Sequence, residues 1–292
     1  MAVSDIALPP SITLDRSIID WLQEDIGRGD RTTQGLSTLG QQMGEGIWTA
    51  KASGVVAGLP IAVRVFQLLD GQISCTRLVG EGEVVSSGQA VLRICGPMDQ
   101  LLMGERVALN LVMRLSGIAT VTRQFVEAIA AFSACLVDTR KTTPGLRLLE
   151  KYASQVGGAV NHRMGLDDAV MIKDNHIVAA GGIESAIAQI RQRVPYPTMI
   201  EVETETVAQV KQALAGGADI IMLDNMPCDE MREAVALIRS WSDRIKIEAS
   251  GNVTLETIQG VAATGVDYIS SSAPITRSPW LDLSMKLTHC VD

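Results

Sequence analysis

The chain has 292 residues, 47% hydrophobic and 20% charged, a balance that suits a folded protein with a sizeable core, in one large α/β domain or two smaller ones. A formal charge of −8 and a pI near 5.0 argue against general nucleic-acid binding, so any anionic ligand must meet a local basic cluster. No run of about 18 uncharged apolar residues is present, so no membrane span is expected. The opening MAVSDIALPP has no basic segment ahead of an apolar run, which argues against a secretory leader. Five scattered cysteines without a C-x-x-C argue for reduced thiols in a cytoplasmic setting, against a disulfide framework or a zinc site.

In chain order, a short helix is expected over Asp15–Asp25, followed by a glycine-rich stretch, Asp25–Thr33, whose Gly27–Asp30 (GRGD) reads as a turn. Alternating runs at Gly46–Lys51, Gly54–Gly58 and Ile73–Val79, with glycine turns between, predict a small, partly antiparallel sheet. A helical pattern over Asp99–Leu115 then leads into the second part. From about residue 130 the pattern changes to short β-branched runs that alternate with helical stretches. The predicted strands are Cys135–Val137, Ala169–Ile172, Thr198–Val202, Ile220–Leu223, Ile245–Ala249 and Tyr268–Ser270. The predicted helices are Ile183–Arg193, Thr206–Ala215, Asp229–Trp241 and Leu255–Ala263, with Thr204 or Thr206 and then Thr254 as caps and glycines 216, 217 and 265 as stops. The tail Trp280–Leu287 has helical character and is expected to pack back on the first part.

Continuous apolar strands separated by helices read as a parallel sheet, and six or more such units close most naturally as a βα barrel, with an open doubly wound sheet as the runner-up. The domains expected are therefore residues 1–115 with the tail 279–292, and a βα domain over 116–278. The segments at the strand ends (DTRK, KDNH, EVE, DNM, EASGN, SSSA) are polar and often charged. In a βα barrel those ends share one pocket.

The strand tips define its chemistry. Arg140 and Lys141 offer a planar fork and a point charge for carboxylates or phosphates. VNHRMGLDDAVMIKDNH adds His162, Arg163, Lys173 and His176. Lys173 is expected at its strand tip facing a charged group, either a ligand or an acid such as Asp174 or one on a neighbouring strand. His162 is equally readable as a ligand or as a satisfied core histidine. Glu201 and Glu203 point to one side of their strand, and Asp224 stands at the end of the next; such acids can pair lysines, hold Mg²⁺ or balance a cationic transition state. Ser250, Gly251 and Asn252 are expected to present N–H groups at a helix start, a phosphate site, and Ser271, Ser272 and Ala273 could do the same. No Walker loop and no strand-borne GxGxxG is present. The residues alone describe a pocket for a small, multiply anionic substrate.

Over nearly its whole length the sequence resembles the quinolinate phosphoribosyltransferases, or carboxylating nicotinate-nucleotide pyrophosphorylases. The carriers are EDIGRGDRTT (24–33), GERVALNLVMRLSGIAT (104–120), DTRKTTPGLR (138–147), GGAVNHRMGLDDAVMIKDNH (157–176), EVE (201–203), MLDNM (222–226) and EASGN (248–252). The resemblance implies an N-terminal α/β sandwich and an incomplete βα barrel. It implies that quinolinate and phosphoribosyl pyrophosphate give nicotinate mononucleotide, pyrophosphate and CO₂, with Mg²⁺, in de novo NAD synthesis. It further implies that Thr139, Arg140, His162, Arg163 and Lys173 meet quinolinate, with Lys141 near both substrates. Glu203 and Asp224 would lie by the ribose and, through substrate and water, its metal. Ser250–Asn252 and Ser271–Ala273 would bind the 5′-phosphate. Arg106 would reach the site of a neighbouring subunit in a homodimer, with a hexamer as a further assembly. One departure is plain: relatives read a glycine followed by Ala-Leu-Thr-His-Ser where this chain has SSSAPITRS (270–278), with Pro274 and Arg277. The alternatives are a paralogous phosphoribosyltransferase for another ring acid, such as the molybdenum-operon relative, and a non-catalytic anion-binding barrel.

Overall fold

The computed structural model describes residues 6–36 and 38–290. In chain order the elements are α1 (Ser11–Ile26), α2 (Arg31–Gly35), β1 (Met43–Ala50), β2 (Gly54–Val55), α3 (Leu59–Leu69), β3 (Ser74–Arg77), β4 (Val84–Val85), β5 (Ala90–Pro97) and α4 (Met98–Ala128). There follow β6 (Cys135–Val137), α5 (Arg147–Gly157), β7 (Val170–Ile172), α6 (Asp174–Ala180), α7 (Ile183–Arg191), β8 (Ile200–Thr204), α8 (Val207–Gly216), β9 (Ile220–Asp224) and α9 (Cys228–Trp241). The last are β10 (Lys246–Ser250), α10 (Ile258–Ala262), β11 (Tyr268–Ser270), α11 (Ala273–Thr276) and β12 (Leu283–His289). Two compact units result: the first takes the chain up to Arg123, Leu148–Gly158 and the chain from Ser278; the second takes Gln124–Arg147 and Ala159–Arg277.

The first unit is built on an antiparallel sheet of order β12-β1-β5-β3. Along β1 every second residue is buried, which places Trp48 in the core edge-to-face with Phe66 of α3, ring centroids 6.2 Å apart. The tail is a strand, not the helix expected over Trp280–Leu287. Its Leu283, Met285 and Leu287 recur at period two, and the edge of β1 supplies the partner, with Ala50 opposite Leu283 and Gly44 opposite His289. Met285 and Leu287 lie over Gly46 and Gly44, where an added Cβ would come within 2.9 and 3.2 Å of them. Sheet pairing here overrides the helix propensity of Leu, Met and Lys.

Helix α3 starts at Leu59-Pro60, and its first N–H groups are capped from a distance. The Glu81 carboxylate accepts from Gly58 N at 2.8 Å and Leu59 N at 2.9 Å, and from the Tyr152 hydroxyl at 2.7 Å. Burial pushes the Glu81 carboxyl up against those bonds. The GRGD turn is also a helix start: Asp30 caps α2, accepting from Thr32 N at 2.9 Å and from the Thr33 main chain and hydroxyl. Helix α4, at 31 residues, outruns the predicted Asp99–Leu115. On α5 the fully buried Glu150 receives Arg114 Nη2 at 2.8 Å and Nε at 3.0 Å, a charge-assisted fork.

The second unit is a six-stranded parallel sheet of order β6-β11-β10-β9-β8-β7. β6 and β7 remain its two edges, so the sheet does not close into the full barrel that strand periodicity suggests. Six strands fall short of the eight of a closed βα barrel. Its six strands match the predicted runs to within two residues at each end. Of the two candidate caps, Thr206 and not Thr204 caps α8, accepting from Gln209 N at 3.2 Å, and Gly217, with φ +79°, ends it. Thr254 does not cap: the Thr257 hydroxyl accepts Thr254 N–H at 2.9 Å, a local turn that delays α10 to Ile258. Among the described residues no helix is long and apolar enough to cross a membrane. All five cysteines are free.

Candidate functional site

The C-terminal ends of the parallel strands open into a cavity of about 720 Å³ in the second unit. Thr139, Arg140, Lys141, His162, Arg163, Lys173, Glu203, Asp224, Ser250–Asn252 and Ser271–Ala273 all line it. The parallel register explains the convergence. Ile172 pairs with Val202, Glu203 with Met222 and Ser250 with Asp224, so polar residues one or two steps on arrive at one level. Arg106 is the exception among the expected site residues. It is on α4 in the first unit, exposed, its guanidinium 4.0 Å from Glu105.

The loop after β6 is braced to present its cations. Asp138 is buried; one oxygen accepts His162 N–H at 2.9 Å, and the other accepts from the Asn161 amide at 2.5 Å. Lys141 N–H bonds Thr139 Oγ1 at 3.0 Å. Arg147 crosses the loop to Thr142 Oγ1 and Met164 O, both at 3.1 Å. Among the described residues Arg140 Nε is buried without a partner, and a buried donor of that kind is costly unless something else completes it. Burial and the neighbouring Arg140 charge push Arg163 down from its ordinary range, while Glu201 and Glu203 act the other way. Two guanidinium groups held close together are poorly matched to one another and well matched to a ligand with two carboxylates.

Lys173 forms an ion pair with Glu203 across the tips of β7 and β8, the neighbouring-strand option among those open from sequence. Asp224, on the next strand, accepts from the Asn225 amide at 2.8 Å. These two carboxylates are hard oxygen donors at the cavity wall, and they fit a Mg²⁺ ion that keeps waters and takes its other ligands from a diphosphate.

Beneath this layer lies a buried cluster. His162 Nε2 is 3.1 Å from Glu201 and 3.4 Å from Glu248, both carboxylates about 95% or more enclosed. Burial alone would lower the ring, but its bonds to Glu201 and Glu248 outweigh that and push it up to about 10. Burial likewise pushes the Glu201 carboxyl up, with Glu248 adding to it and His162 opposing. Nδ1 accepts the Arg163 N–H at 2.7 Å, so the ring proton sits on Nε2 between the acids. The three ligand atoms lie within 4.8 Å of one another, near enough to share a cation.

Two expected phosphate sites differ from their sequence reading. Ser250–Asn252 does not open a helix, since α10 begins at Ile258. It is a turn with Gly251 at φ +106° and Asn252 at φ +47°, folded against Asn225, whose N–H bonds Ser250 O at 2.9 Å. Any anion there would meet N–H groups of a turn and not a helix end. Ser271 is buried and committed, its hydroxyl donating to Val253 O at 3.1 Å and accepting Ala273 N–H at 3.2 Å. Helix α11, next in the chain, has only four residues, with Arg277 just past its end lining the cavity. Thr254 and Arg277 are cavity residues to which the sequence reading gave no part, while Glu248 and Asn225 entered it only as members of the strand-end segments EASGN and DNM. An acid inside the apolar strand KIEAS was the available signal for Glu248.

Residues 30–116 match the family described as quinolinate phosphoribosyl transferase, N-terminal domain, and residues 118–286 its C-terminal domain. A protein from Synechocystis named "Probable nicotinate-nucleotide pyrophosphorylase [carboxylating]" is 60% identical over 282 residues, 97% of this chain and 95% of that one. The human "Nicotinate-nucleotide pyrophosphorylase [carboxylating]" is 38% identical over 289 residues, 97% and 94% of the two chains. Among solved structures, NadC from Streptococcus pyogenes is similar with a TM-score of 0.92 and 41% identity, covering 98% of this chain and all of that one.

Proposed function

Since the chain belongs to the quinolinate phosphoribosyltransferase family, we propose that it transfers the phosphoribosyl group to quinolinate with decarboxylation, releasing nicotinate mononucleotide, pyrophosphate and CO₂, a step of NAD biosynthesis. The observation that carries the proposal is the convergence of Arg140, Lys141, Arg163 and Lys173 on one cavity that also holds Glu203 and Asp224. In a chain of net charge −8 such a basic wall suits an anionic ligand, and the acids beside it suit a group that turns cationic.

In this reading Arg140 and Arg163 grip the two carboxylates of the pyridine diacid, assisted by Thr139 and Lys173, and so aim the ring nitrogen at C1′ of the ribose. The bond from C1′ to the pyrophosphate oxygen breaks, leaving oxocarbenium character that the fixed Glu203 and Asp224 carboxylates stabilise. Lys141 faces the departing pyrophosphate, and the turn at 250–252 with Ser272 takes the 5′-phosphate. The new N–C1′ bond makes the ring a pyridinium, which accepts the electron pair of the C2–carboxylate bond as CO₂ leaves; a proton then replaces it at C2. The cation wall must orient the leaving carboxylate without over-stabilising it, because only interactions stronger in the transition state accelerate the step. Mg²⁺, held by Glu203 and Asp224 through substrate and water, would neutralise charge on the pyrophosphate. A homodimer in which Arg106 enters the neighbouring subunit's site, with a hexamer as a further assembly, and a cytoplasmic setting complete the proposal. Incubation with quinolinate and phosphoribosyl pyrophosphate should yield nicotinate mononucleotide by mass spectrometry; no product at any metal concentration would refute it.

A further inference from the structure

The Glu201–His162–Glu248 cluster, of which His162 and Glu248 reach the cavity wall, has no part in the chemistry above, yet it is a costly thing to keep. Glu201 and Glu248 are 3% and 4% exposed, and among the described residues Oε1 of each is buried without a hydrogen-bond partner. Unpaired buried carboxylate oxygens are unfavourable, and two acids below a diacid pocket repel the ligand it binds. Something must offset both costs.

The ring between them supplies the reason. His162 Nε2 lies between Glu201 and Glu248, at 3.1 and 3.4 Å, and Nδ1 is taken by the Arg163 N–H at 2.7 Å. No ring nitrogen is left to donate to a substrate carboxylate. Meanwhile Asp138 holds the His162 N–H at 2.9 Å, so the main-chain N–H groups of His162 and of Arg163 are both tied. Arg163 departs from that anchored point, its Nη1 donating to Ala169 O at 3.0 Å on the way into the cavity.

We propose that Glu201 and Glu248 are positioning residues: from β8 and β10 they clamp the His162 ring, which fixes the backbone from which Arg163 reaches the diacid. His162 acts through this link and not as a carboxylate ligand itself. The inference rests on the quinolinate reading of the cavity. Its sign is diagnostic. Neutralising either acid removes a negative charge near an anion site, which by electrostatics alone should tighten the diacid; loss of positioning should weaken it.

The test uses the full-length Glu201→Gln and Glu248→Gln variants, which attack the clamp from opposite sides, so that one failing to fold leaves the other. Quinolinate affinity is read by titration calorimetry, and KM for each substrate by steady-state kinetics. The expected result is a quinolinate Kd and KM raised by about fivefold or more, with KM for phosphoribosyl pyrophosphate changed by less than about twofold. In an Arg163→Lys background the same change should add little further to the quinolinate Kd. Unchanged or tighter quinolinate binding, or an equal rise in both KM values, would overturn the proposal. Wild-type protein run alongside separates the two layers: if it fails to turn over quinolinate, the functional reading falls, whereas active wild type with unaffected variants removes only the clamp.

Discussion

Lys173, one residue past β7, is ion-paired with Glu203 of β8, so a cation and an anion of the cavity neutralise each other across neighbouring strand tips. Substrate binding must split or share that pair. A ribose whose C1′ turns cationic draws Glu203, and a ring carboxylate draws Lys173. Lys173→Met and Glu203→Gln should therefore each lower kcat/KM by about tenfold or more. The double variant should lose less than the product of the two, because the groups act as one unit. Fully multiplicative losses would show that they act independently.

Arg140 has a buried Nε without a partner among the described residues, a donor that a ligand can complete. Arg140→Ala should cost about 1.5–3 kcal/mol of quinolinate interaction, a loss of at least about tenfold in turnover at fixed quinolinate. Steady-state kinetics with varied quinolinate measures it, and near wild-type values would remove Arg140 from the binding role.

Gly251 is held at φ +106°, and a Cβ there would stand 2.2 Å from Asn225 Oδ1 and 2.8 Å from Asn225 N. Gly251→Ala must move the Asn225 turn or its own. The expected outcome is a KM for phosphoribosyl pyrophosphate raised by about tenfold or more, with the larger part of the loss on that substrate and not on quinolinate.

Asp30 supplies a prediction independent of the reaction. The Thr33 hydroxyl, then its N–H, hold the Asp30 carboxyl below its ordinary range. A depressed folded value means that its stabilisation is present above the unfolded carboxylate pKa and disappears as pH falls through the folded one. Asp30→Ala should lower Tm at neutral pH, and the gap to wild type should close in acid. A gap that persists or widens in acid would show that the carboxylate charge contributes nothing to the cap.

The strands of the second unit and most of the cavity were legible in the sequence because one signal served both: β-branched runs that end in charged residues. The six strand tips meet because parallel register aligns them. Elements were missed where tertiary contacts reverse local signals. Helix α5 buries Glu150 and Lys151, residues that read as solvent-facing, with Arg114 as the distant partner of Glu150. Helix α3 follows a β-branched run and takes its cap from Glu81, 22 residues ahead of Leu59. The tail has good helix formers and becomes β12 because β1 presents glycines 44 and 46 as a seat for Leu287 and Met285. The Glu201–His162–Glu248 clamp joins residues far apart in the chain, so its members read separately as a strand acid, an open histidine and an unassigned glutamate.

The central claim is that the cavity binds a pyridine diacid and decarboxylates it during phosphoribosyl transfer. Its most direct test is a paired measurement of pyrophosphate and CO₂ released by the purified protein with phosphoribosyl pyrophosphate, Mg²⁺ and either quinolinate or nicotinate. The account predicts equimolar pyrophosphate and CO₂ with quinolinate and neither with nicotinate. Pyrophosphate release with nicotinate at a comparable rate, or none with quinolinate, would contradict it.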